Sequence, residues 1–304
     1  FAWLLMYLSG RLYPAATASL GAGIGYQIST VIFARENRFA SFAQRTFKIF
    51  AGVTLALFVL IQGGFWIQER VATSNLPQAN ESTPNVLVIV MDTVRADHLS
   101  LQGYERETDP TLKRIASEGV MFENAYAASS WTLTSHASLF TGRWPYEHKA
   151  DGGRYLDETY PTIAEALTQR GYRAGAFNGN FETVTSHWGF GRGFLHFEDY
   201  YQTLPQLAVS SVYGRFIEYY VLHKVFNMEF SIDRRWGPSV NRSALDWIEQ
   251  DDSKPFFAFV NYYDAHAPYI SPERARFSNL PNPGGLVNTD WTTADIYNPK
   301  PPEQ

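Results

Sequence analysis

Residues 85–142, NVLVIVMDTVRADHLSLQGYERETDPTLKRIASEGVMFENAYAASSWTLTSHASLFTG, decide the fold. The stretch opens with Val86–Met91, an unbroken apolar, β-branched run of strand length. Such a run predicts a strand buried on both faces, the kind found in parallel sheets. It ends directly in Asp92, and in open α/β sheets ligands bind beyond the carboxyl ends of the strands. About 40 residues later, WTLTSHASLFTG (131–142) gathers hydroxyls ahead of a short apolar helical pattern that Gly142 would stop. Thr134 or Ser135 can cap that helix, which leaves Thr132 just outside its N-terminus. Exposed amide N–H groups and the positive dipole end favour an anion there.

Downstream the pattern alternates. Residues 110–119 predict a helix, with Asp109 as N-cap, Pro110 in the first turn and Gly119 as the stop. Residues 120–125 read as a second strand. Residues 160–171 repeat the helix logic, with Pro161 early, Ile163 and Leu167 on one face and Gly171 at the C-cap. A short strand at 172–177 follows, ending at Asn178-Gly179-Asn180. The Gly- and aromatic-rich run 187–201 obeys no phosphate-loop spacing and reads as loop. Residues 238–250 predict a helix and 255–263 (PFFAFVNYY) a strong strand, followed by Asp264-Ala265-His266-Ala267-Pro268-Tyr269. In 271–304 prolines and polar residues dominate, and no element is assigned. Strands alternating with helices point to an α/β fold with a mainly parallel sheet flanked by helices.

The first 70 residues differ in kind. FAWLLMYLS (1–9) reads as the tail of an apolar helix, and a chain that starts with Phe reads as a fragment. Residues 12–34 carry no charge and are long enough to cross a bilayer, with Gly21 and Gly25 suited to close helix contact. Residues 49–68 form a second uncharged span, with Phe65 and Trp66 as interfacial anchors. Between them Arg35, Arg38, Arg45 and Lys48 face only Glu36. The positive-inside rule places this short loop in the cytoplasm and everything after Glu69 outside it. Residues 71–84, polar with two prolines, read as a linker to a domain at 85–304.

The chain has 304 residues, a formal net charge of -5 and no cysteine. Mild acidity argues against nucleic acid as a partner, which would need a clustered basic face. Without cysteine there is no disulfide, thiolate metal site or cysteine nucleophile. Three clusters then fall at strand or helix ends: Asp92 to Asp97, Thr132 to His136, and Asp264 to His266. Singly, an Asp after a strand is ordinarily a turn or cap residue, and a Thr before a helix an ordinary cap. Together they supply an acid ligand, a hydroxyl at a helix N-terminus and a His. Those are the parts of metal-assisted displacement at phosphorus or sulfur. For Asp92 and Thr132 to share one cation, their side chains must lie within roughly 8 Å.

VLVIVMDTVRADHLSLQGY, TDPTLKRIASEGVMFENAYA and WTLTSHASLFTGRWP resemble the sulfatase family of the alkaline phosphatase superfamily, and FAFVNYYDAHAPY resembles its later strand with a His-Pro segment. The resemblance covers about residues 85–269. It implies an α/β fold and a divalent metal, calcium first, with manganese or zinc as alternatives. It matches Asp92 to the first metal-binding Asp and Thr132 to the nucleophile, which is also counted as a metal contact. Thr93 stands where many members have a second Asp. Ser135 matches the motif serine, His136 stands where an Arg is usual, and His266 matches a ligand of a substrate oxygen. Arg95 and Asp97 match a loop-bracing pair. Asn178-Gly179-Asn180 occupies the place of a Lys-x-His segment, which makes Asn180 a candidate substrate contact with Ser135. Thr132 cannot become formylglycine, because the family makes that aldehyde from Cys or Ser. The family's late metal ligands, an Asp with Asn or His before Gly, find no match before Gln304.

The expected activity is hydrolysis or transfer of a sulfate or phosphate ester by Thr132, with His136 and His266 stabilising the transferred group. The alternatives are a phosphoethanolamine- or phosphoglycerol-type transferase of the envelope and an inactive sulfatase-like binding module. Expected partners are an ester-bearing lipid or glycan and the membrane. Of the other histidines, His98 is expected on loop backbone and His148 near substrate or at the surface. His187, His196 and His223 are expected to pack, as are the tyrosines at 200, 201, 219, 220, 262 and 263.

Overall fold

The computed structural model describes residues 14–80, 82–200, 214 and 234–266, with side chains from 23 onward in the first helix. The helix tail at 1–9, His223, Tyr201, Tyr219, Tyr220, residues 267–269 and the stretch 271–304 lie outside the described residues. The chain divides into two compact units, Phe1–Arg70 and Val71–Gln304.

The described residues of the first unit are helical: α1 is Pro14–Ala34 and α2 is Glu36–Ser74, whose last four residues belong to the second unit. The stretch expected to be a loop between two spans is therefore the first part of α2, with only Arg35 as a break. Its Ala, Arg, Gln and Lys content, without Gly or Pro, favours helix over loop. Among the described residues α2 alone is long and apolar enough to cross a membrane, and it contains the expected span 49–68. The expected first span coincides with α1, whose described side chains form the shorter apolar run Gly23–Ala34.

Among the described residues, the second unit is built on a four-stranded, wholly parallel sheet. Its strands are β1 Val86–Met91, β2 Arg173–Asn178, β3 His196–Glu198 and β4 Phe256–Tyr262, in the order β1-β4-β2-β3. The helices are α3 Pro110–Glu118, α4 Thr132–Thr141, α5 Pro145–His148, α6 Ile163–Thr168 and α7 Gly237–Glu249. The last strand among the described residues thus lies second in the sheet, and its β-branched and aromatic residues face both layers. On one face Phe257 and Phe259 pack with Ala174 and Ala176 of β2 against Leu133, Ala137 and Phe140 of α4 and Ala164 of α6. On the other, Ala258, Val260 and Phe177 meet Val240, Ala244 and Trp247 of α7. Each fully buried Leu, Val or Phe among them contributes roughly 1.5–3 kcal/mol, and each Ala less. Gly175 lets α7 lie this close, since a Cβ there would sit 2.8 Å from the Trp247 ring.

Four expectations change. β1 is not buried on both faces: Leu87 and Ile89 are each 51% exposed. Among the described residues β1 is an edge strand, and α7 covers only β2 and β4. The expected strand at 120–125 does not form, and Val120 and Phe122 stand exposed with no partner strand to bury them. Residues 196–198, read as loop, pair with β2 as β3. Residues 71–84 are not a free linker. Tyr172 donates to the Pro84 carbonyl at 3.0 Å, Lys254 reaches the Pro77 carbonyl at 3.2 Å, and the Phe256 N–H donates to Asn85 Oδ1 at 3.0 Å. Those bonds fasten the segment to the amino ends of the strands, opposite the candidate site.

Smaller shifts follow from caps. Thr162 and Glu165 form a reciprocal capping box that starts α6 two residues after Pro161. Gly171, at φ 89, lies past the Gln169 C-cap.

Candidate active site

Asp92 continues β1 by one residue, its N–H donating to the Tyr262 carbonyl of β4 at 2.9 Å. Its position is therefore fixed by two strands. α4 begins with Trp131 extended at the N-cap and Thr132 as its first helical residue, and it ends at Gly142 in the left-handed region. Thr132 Oγ1 donates to Asp92 Oδ2 at 3.3 Å, far inside the distance that sharing a cation requires. The turn after β2 brings the third element. Asn180 Nδ2 lies 3.5 Å from the same Oδ2 and donates to Thr183 Oγ1 at 2.9 Å. Asn180 Oδ1 accepts the Glu182 and Thr183 N–H groups, so the side chain is locked. Gly179 permits that turn, because a Cβ there would fall 2.8 Å from the Asn261 carbonyl oxygen.

Thr132 thus lies inside the helix rather than just before it. Neither Thr134 nor Ser135 caps α4. Thr134 is buried and donates to the Ala150 carbonyl at 3.0 Å, while the Ser135 N–H bonds the Trp131 carbonyl at 2.9 Å. Helix pairing consequently starts one turn earlier than the hydroxyls suggested. The first-turn N–H groups remain without intrahelical partners around the Thr132 hydroxyl, which is where an anionic ester group gains most. Ser135 sits half-buried in the same turn.

His136 is brought to the site but not to a substrate. It is 5% exposed, and its Nδ1 lies 2.8 Å from the Thr132 carbonyl. A carbonyl only accepts, so Nδ1 carries the proton. Burial holds the ring's pKa below the ordinary value, against the opposing pull of the Thr132 bond and the Asp92 charge. A neutral imidazole protonated at Nδ1 must accept at Nε2, and Asn261 Nδ2 supplies that hydrogen at 3.3 Å. Phe190 and Phe259 meet the ring edge-on. With both nitrogens committed, the role expected for His136 on the transferred group is not available to it.

The third cluster divides. Asp264 accepts the Gly237 N–H with both oxygens, at 3.0 and 3.2 Å, and so anchors the start of α7. His266 stacks on Tyr263, and its carbonyl accepts from Arg234 at 3.1 Å. Arg234 in turn forms a backbone bridge with Asn180, so His266 belongs to the same sheet edge. Arg95 and Asp97 form the expected brace, at 2.5 and 3.0 Å. Hydrogen bonds from Arg95 and then His98 hold the Asp97 carboxyl far below the usual range. His98 therefore bonds Asp97 rather than loop backbone and stacks on Tyr104. His148 is not at the surface: it is buried between the Ser138 hydroxyl and the Ala150 N–H. His187 and His196 pack against aromatic rings as expected.

Asp92 is 7% exposed, and among the described residues no Lys or Arg pairs with it. A buried carboxylate bonded only to a hydroxyl and an amide at long range calls for a cation. The described residues begin such a site without completing it, since no three of their His, Asp or Glu side chains cluster. Calcium alone needs six to eight oxygens.

Thr93, in the place of the family's second Asp, adopts φ 59, a left-handed conformation that a β-branched residue rarely takes. Backbone strain of this order is on the scale of 1–3 kcal/mol and tends to occur where a site fixes its geometry. Thr93→Asn tolerates that conformation and is expected to raise stability by about 1 kcal/mol in urea unfolding. An unchanged or lowered midpoint would show the turn to be relaxed.

Sequence reasoning missed Asn261, Arg234, Arg235 and Glu198. One signal was present: Asn261 interrupts an otherwise apolar and aromatic strand, and a polar residue buried there needs a partner.

A family model described as Sulfatase matches residues 84–280. An arylsulfatase of Clostridium perfringens is 26% identical over 247 residues, covering 70% of this chain and 50% of that protein. An N-acetylglucosamine-6-O-sulfatase of Bacteroides thetaiotaomicron is 28% identical over 224 residues, covering 70% of this chain and 37% of that protein. The phosphonate monoester hydrolase of Agrobacterium radiobacter aligns in structure with a TM-score of 0.48 and 22% identity, over 63% of this chain and 43% of that one. The chain spans half or less of the length of these relatives. Since the family model takes in the whole sheet, from β1 through β4, and every element that carries Asp92, Thr132 and Asn180, the chain belongs to the sulfatase family.

Proposed function

We propose that this protein is a metal-dependent enzyme that hydrolyses or transfers a sulfate or phosphate ester, with Thr132 as nucleophile. One observation carries the reading: the Thr132 hydroxyl, at the open end of a helix, donates to a buried carboxylate at the end of a parallel strand. Thr132 Oγ1 attacks sulfur or phosphorus as the bond to the leaving oxygen breaks; the hydroxyl gives up its proton to solvent, and the leaving oxygen takes one up from solvent and departs as the alcohol. Asp92 orients the hydroxyl, and the first-turn N–H groups of α4 receive the ester oxygens. Asn180 donates to the same Asp92 oxygen and helps hold it in place. Asp92 would also hold a divalent cation, calcium first and manganese or zinc otherwise. When bound, that cation lowers the hydroxyl's pKa and neutralises ester charge. The resulting Thr132 ester is released by attack of water or of an acceptor alcohol, and that choice alone separates a hydrolase from a phosphoethanolamine- or phosphoglycerol-type transferase.

A sulfated sugar is the favoured substrate class, because the relatives' names specify sulfated N-acetylhexosamines. The apolar part of α2, residues 49–68, preceded by Arg35, Arg38, Arg45 and Lys48, supports a membrane anchor with the catalytic unit on the extracytoplasmic side. The full-length protein, assayed with an aryl sulfate, an aryl phosphate and a phosphodiester, each with and without calcium, manganese or zinc, tests the proposal. Cation-dependent turnover of one class is the expected result. No turnover of any would leave the binding-module reading in its place.

A further inference from the structure

We propose that Asn261 is a positioning residue that sets the distance between Thr132 and Asp92, acting through the buried His136. The inference rests on the reading of Thr132 as nucleophile and goes beyond it, because neither Asn261 nor a relay from β4 is part of that reading.

Two adjacent residues of β4 fix the two halves of the Thr132–Asp92 contact. The Tyr262 carbonyl accepts the Asp92 N–H at 2.9 Å and so places the carboxylate. The Asn261 amide, one residue earlier, donates to His136 Nε2, and His136 Nδ1–H donates to the Thr132 carbonyl at 2.8 Å. The first turn of α4 is thereby tied sideways to the same strand that holds Asp92. α4 lacks a side-chain N-cap, so this tie takes the place of the usual restraint on a helix start. Asn261 has no exposed surface and His136 almost none, and Phe190 and Phe259 wall the ring in, so the relay has little freedom to swing.

The residues chosen also follow from charge. An Arg at position 136 would extend toward the anion. A neutral His walled by two Phe rings cannot, and it turns both nitrogens to bracing instead. Asn261 suits the far end because its amide is a donor without charge. A Leu there would fill similar volume and leave Nε2 without its hydrogen bond, and an Asp would place a second buried carboxylate behind the nucleophile. Displacing a reacting oxygen by about 1 Å is enough to lower turnover 10²-fold.

The test compares Asn261→Leu, His136→Phe, the double variant and Thr132→Ala in the full chain, using the ester that the wild type turns over best. Asn261→Leu is expected to lower kcat about 10²-fold with KM unchanged, and His136→Phe to do the same. The double variant should be no worse than either single one, since all three cut the same tie. Hydrogen exchange supplies a readout independent of turnover. Peptides covering 131–138 should exchange faster in Asn261→Leu, while those covering α7 stay as protected as in the wild type. Wild-type kcat in Asn261→Leu, with Thr132→Ala inactive, overturns the proposal. Turnover retained in Thr132→Ala overturns the nucleophile reading instead. If the wild type turns over none of the esters, exchange decides: unchanged protection at 131–138 refutes the relay, and faster exchange confined there supports it.

Discussion

Thr132→Ala is expected to abolish turnover, with a loss on the order of 10⁴-fold or more, as removal of the nucleophile does in serine proteases. The fold should hardly register the change. Thr132 is half-buried, its hydroxyl bond to Asp92 is long at 3.3 Å, and α4 begins without any side-chain cap for the mutation to remove. Alanine is also the best helix former. The expected change in stability is within about 0.5 kcal/mol, as for most substitutions that leave the core alone. That separation makes the variant informative, because lost activity cannot then be assigned to unfolding. Thr132→Ser, which keeps a hydroxyl but loses the methyl that restrains χ1, should retain part of the rate. A Thr132→Ala protein that is folded and still turns over ester at the wild-type rate would remove Thr132 from the chemistry and move the search to Ser135, on the same turn.

The parts of the fold that could be read in advance are those in which a local pattern and a tertiary environment agree. Val86–Met91 was legible as a strand because its run of β-branched residues has no other good conformation, and Asp92 as its chemical terminus because the run stops there. The edge position of β1 was not legible, since a strand's place in the sheet depends on the partners it finds and not on its own side chains. β3 escaped for a related reason: three residues, His196–Glu198, become a strand only because β2 offers them a ladder. The meeting of Asp92 and Thr132 could be expected from topology, but the behaviour of His136 could not. Its sequence position suggested a hand on the substrate, whereas its burial between α4 and β4 and the donor on Asn261 turn it into a brace. Residue type specifies what a side chain can do, and only the surroundings decide which of its bonds are already taken.

Arg235→Met is the stability counterpart, with an expected loss of about 3–5 kcal/mol, because it takes from a buried carboxylate its main cationic partner. Arg235 is 4% exposed. Its guanidinium donates to Glu198 of β3 and to the Ser239 carbonyl, Ser239 Oγ and Ser243 Oγ of α7, while its backbone N–H donates to the Gly179 carbonyl. One residue thus fastens β3, the start of α7 and the turn that carries Asn180. Burial alone would raise the Glu198 pKa, but hydrogen bonds from His196 and Arg235 outweigh it and hold the carboxyl below its ordinary value. A depressed carboxylate stabilises the fold above that ordinary value, 4.5, and the stabilisation is lost as pH falls through the folded value beneath it. The wild type is therefore expected to lose stability in that acid window. In Arg235→Met the buried charge loses its main partner, so the carboxyl titrates higher and protonation relieves the strain of burial. The destabilisation should be largest near pH 7 and should shrink by pH 4. The double variant Glu198→Met/Arg235→Met, with no charge left to bury, should recover most of the loss. Urea unfolding of the three proteins at pH 7 and pH 4 reads all of this. A loss below 1 kcal/mol at pH 7, or one that does not change with pH, would mean that Glu198 is solvated in the variant and that the ion pair does not hold the Gly179–Asn180 turn in place.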